Sequence, residues 1–252
     1  MSKKFNTKPL IVANWKMNPE KLSEAKRLFD LVKNKVKSMK KAEVVVCPPS
    51  IYIQHLISNI KIGAQNCFWE RKGAFTGEVS APMLKDIGCK YVIIGHSERR
   101  KYFSETDEMI NRKVKAALKE NLTPILCIGE TEKERKEEKT DIVLKNQLEK
   151  DLLGISASKI ARLVFAYEPV WAIGTGNACD AEEAQKSLLF IRKVVSQIYN
   201  QNISRKIRIL YGGSVNSKNA GAFIKEAGFN GLLVGGASLE ANEFSKIVKV
   251  AV

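Results

Sequence analysis

The sequence has no long hydrophobic run, no closely spaced pair of cysteines and no low-complexity tract. Its apolar runs are short, as at 163–167. A membrane-spanning helix needs about 20 apolar residues, so we expect no such helix and no membrane partner. The five cysteines are odd in number and widely spread, which argues against a disulfide framework or a metal site. The basic N-terminus is not followed by an apolar core, so we expect no secretory signal and a reducing, cytoplasmic setting.

Positive charge is the strongest bias of the composition. Lysine and arginine number 42 against 27 acidic residues, which gives a net charge of +15. This charge indicates either a nucleic-acid-binding surface or solvated helix faces. The densest charged stretch, at 132–139, mixes both signs at the spacing of helix ion pairs. We therefore favour solvated helix faces, predict no nucleic-acid partner, and expect at most some steering of an anionic substrate.

Eight short apolar runs, rich in β-branched residues, recur along the chain. They lie at 10–13, 44–47, 62–65, 91–94, 125–128, 163–167, 207–210 and 232–234. Most are unbroken rather than alternating, which is typical of strands buried on both faces of a parallel sheet. The third and seventh runs carry the weakest pattern.

Segments of helical period separate most of these runs. Residues 20–39 place apolar side chains on one stripe, and residues 181–197 follow Asp180, a candidate N-cap that Glu183 would complete as a capping box. Alternating strands and helices indicate a parallel α/β fold, either a doubly wound open sheet or a closed barrel. Eight strands in 252 residues favour a single (β/α)8 barrel. No linker divides the chain, so we expect one domain over 1–252.

Polar residues follow the strands at the end where a (β/α)8 barrel carries its chemistry. Lys16 follows the first run, His96 the fourth and Glu168 the sixth, while glycine-rich turns follow the seventh and eighth. We expect these residues to converge on one face of the barrel. They would supply a general base, a hydrogen-bond donor for an oxyanion, and backbone N–H groups for a phosphate.

Five motifs carry a resemblance to a known family. They are NWK at 14–16, GAFTGE at 73–78, GHSERR at 95–100, AYEPVWAIGTG at 166–176 and YGGSV at 211–215. In order and spacing, from about residue 10 to the C-terminus, the chain resembles the triosephosphate isomerases. The resemblance implies a TIM barrel that interconverts dihydroxyacetone phosphate and D-glyceraldehyde 3-phosphate in glycolysis and gluconeogenesis. It also implies that no metal or organic cofactor takes part.

The resemblance assigns roles to individual residues. Glu168 matches the base that moves the proton, and His96 matches the neutral imidazole that donates to the reacting oxygen, a pairing for which triosephosphate isomerase is itself the standard example. Lys16 matches the cation that holds the substrate and stabilises developing negative charge. Asn14 would form a hydrogen bond on the oxyanion side, and Cys127 would pack near Glu168 rather than act as a nucleophile.

Four residues match the family's phosphate site, in which main-chain N–H groups hold the anion. These residues are Gly174, Ser214, Gly235 and Gly236. Residues 169–179 match the mobile lid that excludes water from the enediolate. The second hinge, NAC at 177–179, departs from the commonest family pattern, and we expect it to affect lid kinetics rather than chemistry. The 174–176 fragment lacks the third glycine of a dinucleotide motif, because Cys179 stands there.

A homodimer is also implied by the resemblance. Phe75, Thr76 and Glu78 match a loop that reaches into a second subunit in the family. There Thr76 would pack near Lys16 and Glu98 of the other chain, and Glu98 is expected to be structural rather than catalytic.

Alternative functions remain open at the level of the sequence. One is another phosphate-binding barrel enzyme, such as a sugar-phosphate isomerase or an aldolase. An aldolase would need a Schiff-base lysine at a strand end; Lys16 follows the first strand, but its Asn-x-Lys setting argues for a charge partner. A basic nucleic-acid-binding barrel and a barrel without activity are the other two. His55, the only other histidine, is expected to be a packed residue without a catalytic role.

Overall fold

Eight parallel strands form a closed barrel in the computed structural model, which describes residues 8–173 and 179–252. The strands are β1 (Leu10–Asn14), β2 (Glu43–Cys47), β3 (Lys61–Ala64), β4 (Tyr91–Ile94), β5 (Thr123–Ile128), β6 (Val164–Tyr167), β7 (Arg208–Tyr211) and β8 (Gly231–Val234). Each strand pairs with the next along the chain, and β8 pairs with β1. The prediction of a closed (β/α)8 barrel rather than an open sheet is therefore confirmed.

Helices connect the strands around the outside of the barrel. They are α1 (Leu22–Val36), α2 (Ala81–Asp86), α3 (Ser97–Tyr102), α4 (Asp107–Lys119), α5 (Glu132–Lys136), α6 (Thr140–Asp151), α7 (Ala157–Ile160), α8 (Ala181–Ile198), α9 (Gln201–Lys206), α10 (Ala220–Lys225) and α11 (Ala241–Val250). Three short 3-10 helices lie at Ser50–Leu56, Val170–Ala172 and Gly236–Leu239. No helix in the described part of the chain is long and apolar enough to cross a membrane.

The strands are buried on both faces, which explains their unbroken apolar runs. Alternate side chains such as Val12, Ile93 and Ile125 fill the barrel interior. Their neighbours, such as Ile11 and Val92, belong to the larger core shared with the helices. The two weakest runs form strands one residue earlier (β3) and one residue later (β7) than predicted. Burial on both faces hides the period-two pattern that would have fixed these bounds.

Both predicted helices form, with one difference at a cap. The helix predicted at 20–39 spans Leu22–Val36, and Asp180 caps α8 by accepting a hydrogen bond from the Glu182 N–H at 2.7 Å. The predicted capping box is wrong, because the Glu183 carboxylate instead accepts two 3.0 Å hydrogen bonds from Arg135. A guanidinium fork binds a carboxylate more strongly than one backbone N–H does.

The N-terminal ends of the strands are closed by an ion cluster around Glu43 at the start of β2. Its carboxylate accepts hydrogen bonds from Lys61 Nζ at 2.6 Å, the Tyr91 hydroxyl at 2.5 Å and Arg208 Nη1 at 2.7 Å. Burial alone would raise the pKa of Glu43, but the three donors outweigh it and lower the pKa from 4.5 to about 2. This end of the barrel is therefore occupied by groups that satisfy one another.

Candidate active site

A cavity of about 330 Å³ opens at the C-terminal ends of the strands. The sequence-predicted residues that line it are Asn14, Lys16, His96, Glu168, Ser214, Gly235 and Gly236. They come from the ends of β1, β4, β6, β7 and β8, far apart in sequence, and barrel closure brings them together. The predicted phosphate ligand Gly174 and most of the second hinge, at 177 and 178, lie outside the described residues.

Glu168 directly follows β6 and is 1% exposed. Its Oε2 accepts a 3.0 Å hydrogen bond from the Ser97 backbone N–H. Its Oε1 lies 3.3 Å from His96 Nε2, but without hydrogen-bond alignment, so this oxygen has no hydrogen-bond partner among the described residues. Cys127 lies against the same carboxylate and is buried, and burial raises the pKa of its thiol. A buried carboxylate with a free oxygen is suited to accept a proton.

His96 is the N-cap of α3, as expected for a histidine at the start of a helix. Its Nδ1 accepts a 3.2 Å hydrogen bond from the Glu98 backbone N–H. A nitrogen that accepts carries a lone pair, so in the neutral ring the proton is on Nε2, at the cavity. The helix N-terminus thus orients the ring of His96 so that Nε2 faces the cavity. The expectation that His55 is packed is wrong, because this side chain is exposed near the end of a 3-10 helix.

Lys16 sits beyond β1 in a left-handed backbone conformation, with φ of 53°. Side-chain bonds hold this turn: Asn14 Oδ1 accepts from the Lys16 N–H at 3.1 Å, and Gln65 Nε2 donates to the Lys16 carbonyl at 2.8 Å. The Lys16 ammonium pairs with Glu98 at 2.6 Å. Backbone strain held by its surroundings is common at functional sites. The ion pair suits a charge partner better than a Schiff-base nucleophile.

Glycine-rich turns after β7 and β8 form the other wall of the cavity. No hydrogen bond joins the backbone N–H of Gly213, Ser214 or Gly235 to another group in the described parts of the chain. The Ser214 hydroxyl donates to the Ala172 carbonyl at 2.6 Å, and this bond ties the turn to the 3-10 helix that follows Glu168. Unpaired N–H groups at a concave turn are suited to bind an anion.

Sequence reasoning missed a second buried carboxylate near the site. Glu130, which follows β5, accepts hydrogen bonds from Trp171 Nε1 at 2.8 Å and from the Tyr167 hydroxyl at 3.1 Å. Burial raises its pKa. Its position just after a strand was the signal that could have found it. Glu130 therefore anchors the first residues of the predicted lid to the barrel.

The fold and the site together define a (β/α)8-barrel enzyme with a buried carboxylate, an imidazole, an ammonium and glycine-rich turns on one cavity. A family model described as triosephosphate isomerase matches residues 9–251. The triosephosphate isomerase of Alkaliphilus oremlandii is 50% identical over 246 residues, which are 96% of this chain and 98% of the relative. That of Dictyoglomus turgidum is 47% identical over 245 residues, or 95% and 98% of the two chains. The chain belongs to the triosephosphate isomerase family.

Proposed function

We propose that this enzyme interconverts dihydroxyacetone phosphate and D-glyceraldehyde 3-phosphate by proton transfer through an enediolate. The juxtaposition of the buried Glu168 carboxylate with the Nε2 of His96, 3.3 Å apart on one cavity, carries this proposal. A carboxylate is a weak base and alone would deprotonate a carbon acid poorly, so the oxyanion that results must be stabilised as it forms. The cavity supplies both functions in one place. That the reaction needs no metal or organic cofactor stays a prediction.

The reaction needs one base and one donor. Glu168 removes a proton from C1 of dihydroxyacetone phosphate, and the electron pair of that C–H bond moves through C2 onto the carbonyl oxygen. The Nε2–H of His96 and the Lys16 ammonium stabilise this oxygen, with Asn14 beside them. The proton on Glu168 then returns to C2, and the hydroxyl proton of O1 is transferred to O2, so the product is an isomer with no atom gained or lost.

Glu168 changes partner when it acts. In the present arrangement the Ser97 N–H donates to one of its oxygens and holds the carboxylate beside His96. The base must exchange that hydrogen bond for contact with the substrate carbon, about 3–3.5 Å away in a reactive geometry. We propose that substrate binding and closure of the lid at 169–179 drive this exchange, and that closure excludes water from the enediolate.

The phosphate group of the substrate is proposed to bind the turns after β7 and β8. Ser214, Gly235 and Gly236 would donate their N–H groups, with Gly174 of the lid as a further ligand. This placement agrees with the phosphate site that barrel enzymes commonly form after strands 7 and 8. It also places C1 and C2 of the substrate, where the proton transfer occurs, toward Glu168 and His96.

We further propose a homodimer formed through the loop that carries Phe75, Thr76 and Glu78. All three residues are exposed, and the Phe75 side chain is 43% accessible. Met17, which directly follows Lys16, is 92% accessible. Large apolar side chains exposed beside a catalytic residue favour a protein interface. A light-scattering mass of about twice 28.2 kDa is expected, and a monomer mass at assay concentration would contradict the proposal.

A reducing, cytoplasmic setting is proposed as well. All five cysteines are free thiols and all five are buried. Such a set is typical of proteins that fold where thiols stay reduced. Fractionation of the native host with an antibody to this chain would test it, and recovery outside the cytoplasmic fraction would contradict it.

The function is tested by a coupled assay of D-glyceraldehyde 3-phosphate isomerisation with wild type and Glu168→Gln. The amide keeps the shape but cannot take the proton, so kcat is expected to fall by about 10²–10⁴, the usual scale for a general base. In D2O, any exchange of the proton on Glu168 with solvent places deuterium on the carbon that receives it, and NMR measures this exchanged fraction. A variant as fast as wild type would contradict the mechanism.

A further inference from the structure

The helix that follows His96 carries a buried ion cluster with no role in the chemistry described above. Arg100 on α3 donates from Nε to the Gly95 carbonyl at 3.1 Å. Its Nη1 donates to Asp107 at 2.5 Å, at the start of α4, and its Nη2 to Asp151 at 3.1 Å, at the end of α6. One guanidinium therefore ties two helices to the peptide that precedes His96.

This cluster is a rigid anchor rather than a surface ion pair. The Asp151 side chain is fully buried, and those of Arg100 and Asp107 are 20% and 16% exposed. Burial opposes the charge of Arg100, but Asp151 and Asp107 outweigh it and raise the pKa of the guanidinium, while burial raises the pKa of Asp151 despite the guanidinium beside it. Asn111 fixes the Asp151 backbone by donating to its carbonyl at 2.8 Å. Buried charged hydrogen bonds of this kind hold geometry more firmly than exposed pairs do.

The other side of the same turn is fixed by packing. Gly95 has a φ of +74°, a conformation that favours glycine. A Cβ added there would lie 3.0 Å from Ile110 Cδ1 and 3.3 Å from the Cys127 carbonyl oxygen. The Gly95 peptide is thus confined by α4 and β5 on one side and held by Arg100 through its carbonyl.

We propose that Arg100 is a positioning residue for the isomerisation, holding the Gly95 carbonyl so that His96 and Ser97 keep their geometry at the cavity. His96 supplies the donor and the Ser97 N–H holds Glu168, so a shift of this turn would displace both partners of the proton transfer. The inference rests on the proposed function. Three acceptors in three directions require a guanidinium fork, and a lysine ammonium at the same place cannot reach them all.

The test compares Arg100→Lys with Arg192→Lys. Arg192 on α8 is a matched control, because it also ties backbone carbonyls, those of Ser204 and Ile207, but at the N-terminal end of the barrel. In Arg100→Lys we expect kcat to fall about 10–100-fold and KM to change by less than about 3-fold, as misplacement of reacting groups does. Arg192→Lys should keep kcat. An unchanged kcat in Arg100→Lys, or an equal fall in both variants, would overturn the proposal.

A spectroscopic readout separates positioning from general loosening. The chain has two histidines, so ring ¹⁵N signals give one reporter at the site and one control at the exposed His55. Arg100→Lys should shift the His96 signals and leave those of His55 in place. Unshifted His96 signals would overturn the proposal. Because this readout needs no turnover, a wild type that fails to isomerise would refute the proposed function without deciding the role of Arg100.

Asp107→Asn keeps the inference testable if Arg100→Lys does not fold. The amide retains the size and a hydrogen-bond acceptor but loses the charge on one arm of the fork. We expect a smaller fall in kcat, about 3–10-fold and in the same direction, with a His96 shift. A folded Asp107→Asn with wild-type kcat and unshifted His96 signals would overturn the proposal.

Discussion

The two ends of the barrel differ in how fully the hydrogen-bonding groups of two glutamates, Glu43 and Glu168, are paired. At the N-terminal end, Glu43 receives hydrogen bonds from Lys61, Tyr91 and Arg208. At the C-terminal end, Glu168 keeps an oxygen without a partner among the described residues, and Lys16 holds a strained backbone. Satisfied groups stabilise the fold, whereas unsatisfied groups are available to a substrate. The comparison predicts that stability and catalysis depend on different ends of one scaffold.

After Glu168→Gln, the largest effect that we expect to sharpen this comparison is that of His96→Asn, at the C-terminal end. Asparagine is a good N-cap, so α3 should persist, but its shorter side chain cannot place a donor where His96 Nε2 lies. We expect kcat to fall by about 10²–10³, the scale for loss of one oxyanion donor. The free energy of unfolding should change by less than about 1 kcal/mol. A large loss of stability with little change in kcat would break the comparison.

The next effect lies at the N-terminal end, in Glu43→Gln. The neutral amide cannot compensate the positive charges of Lys61 and Arg208. The free energy of unfolding should therefore fall by about 3 kcal/mol, the cost of removing one partner from a largely buried ion cluster. The melting temperature should drop by roughly 6–12 °C for a chain of this size. The kcat of the folded variant should equal that of wild type. Wild-type stability would show that the cluster does not hold this end of the barrel.

A smaller effect is the pH dependence of the difference in free energy of unfolding between wild type and Glu43→Gln. The folded pKa of Glu43 is lowered from 4.5 to about 2, so its contribution is fully present above about pH 5 and is lost as the pH falls toward 2. The stability gap between wild type and Glu43→Gln should therefore shrink by about 3 kcal/mol between pH 5 and pH 2. Denaturant titrations at four pH values measure it, and a gap independent of pH would exclude this origin.

The sequence predicted the elements better than their long-range contacts. Unbroken apolar runs located the eight strands, but periodicity could not decide that the sheet closes. The ion cluster at the N-terminal end joins Glu43 to Arg208, 165 positions apart, and no local pattern indicates such a pair. For the same reason Glu183 was expected to cap its own helix when Arg135, from α5, offered a stronger partner.

The candidate site was predicted through motifs rather than through physics alone. A carboxylate, an imidazole and an ammonium at strand ends indicate proton transfer and anion binding, but the substrate came from the resemblance of whole motifs. The structure adds what motifs do not carry, such as the hydrogen bond that His96 Nδ1 accepts from the Glu98 N–H. Arg100 stands inside a recognised motif, yet its three acceptors lie on segments that only folding brings together.

The most direct test of this division measures kcat and the free energy of unfolding in both Glu168→Gln and Glu43→Gln. Each variant exchanges a carboxylate for an amide of the same shape, at opposite ends of the barrel. The account predicts that Glu168→Gln loses turnover and keeps its stability within about 1 kcal/mol, whereas Glu43→Gln loses stability and keeps its turnover. Parallel losses of both properties in both variants would contradict it.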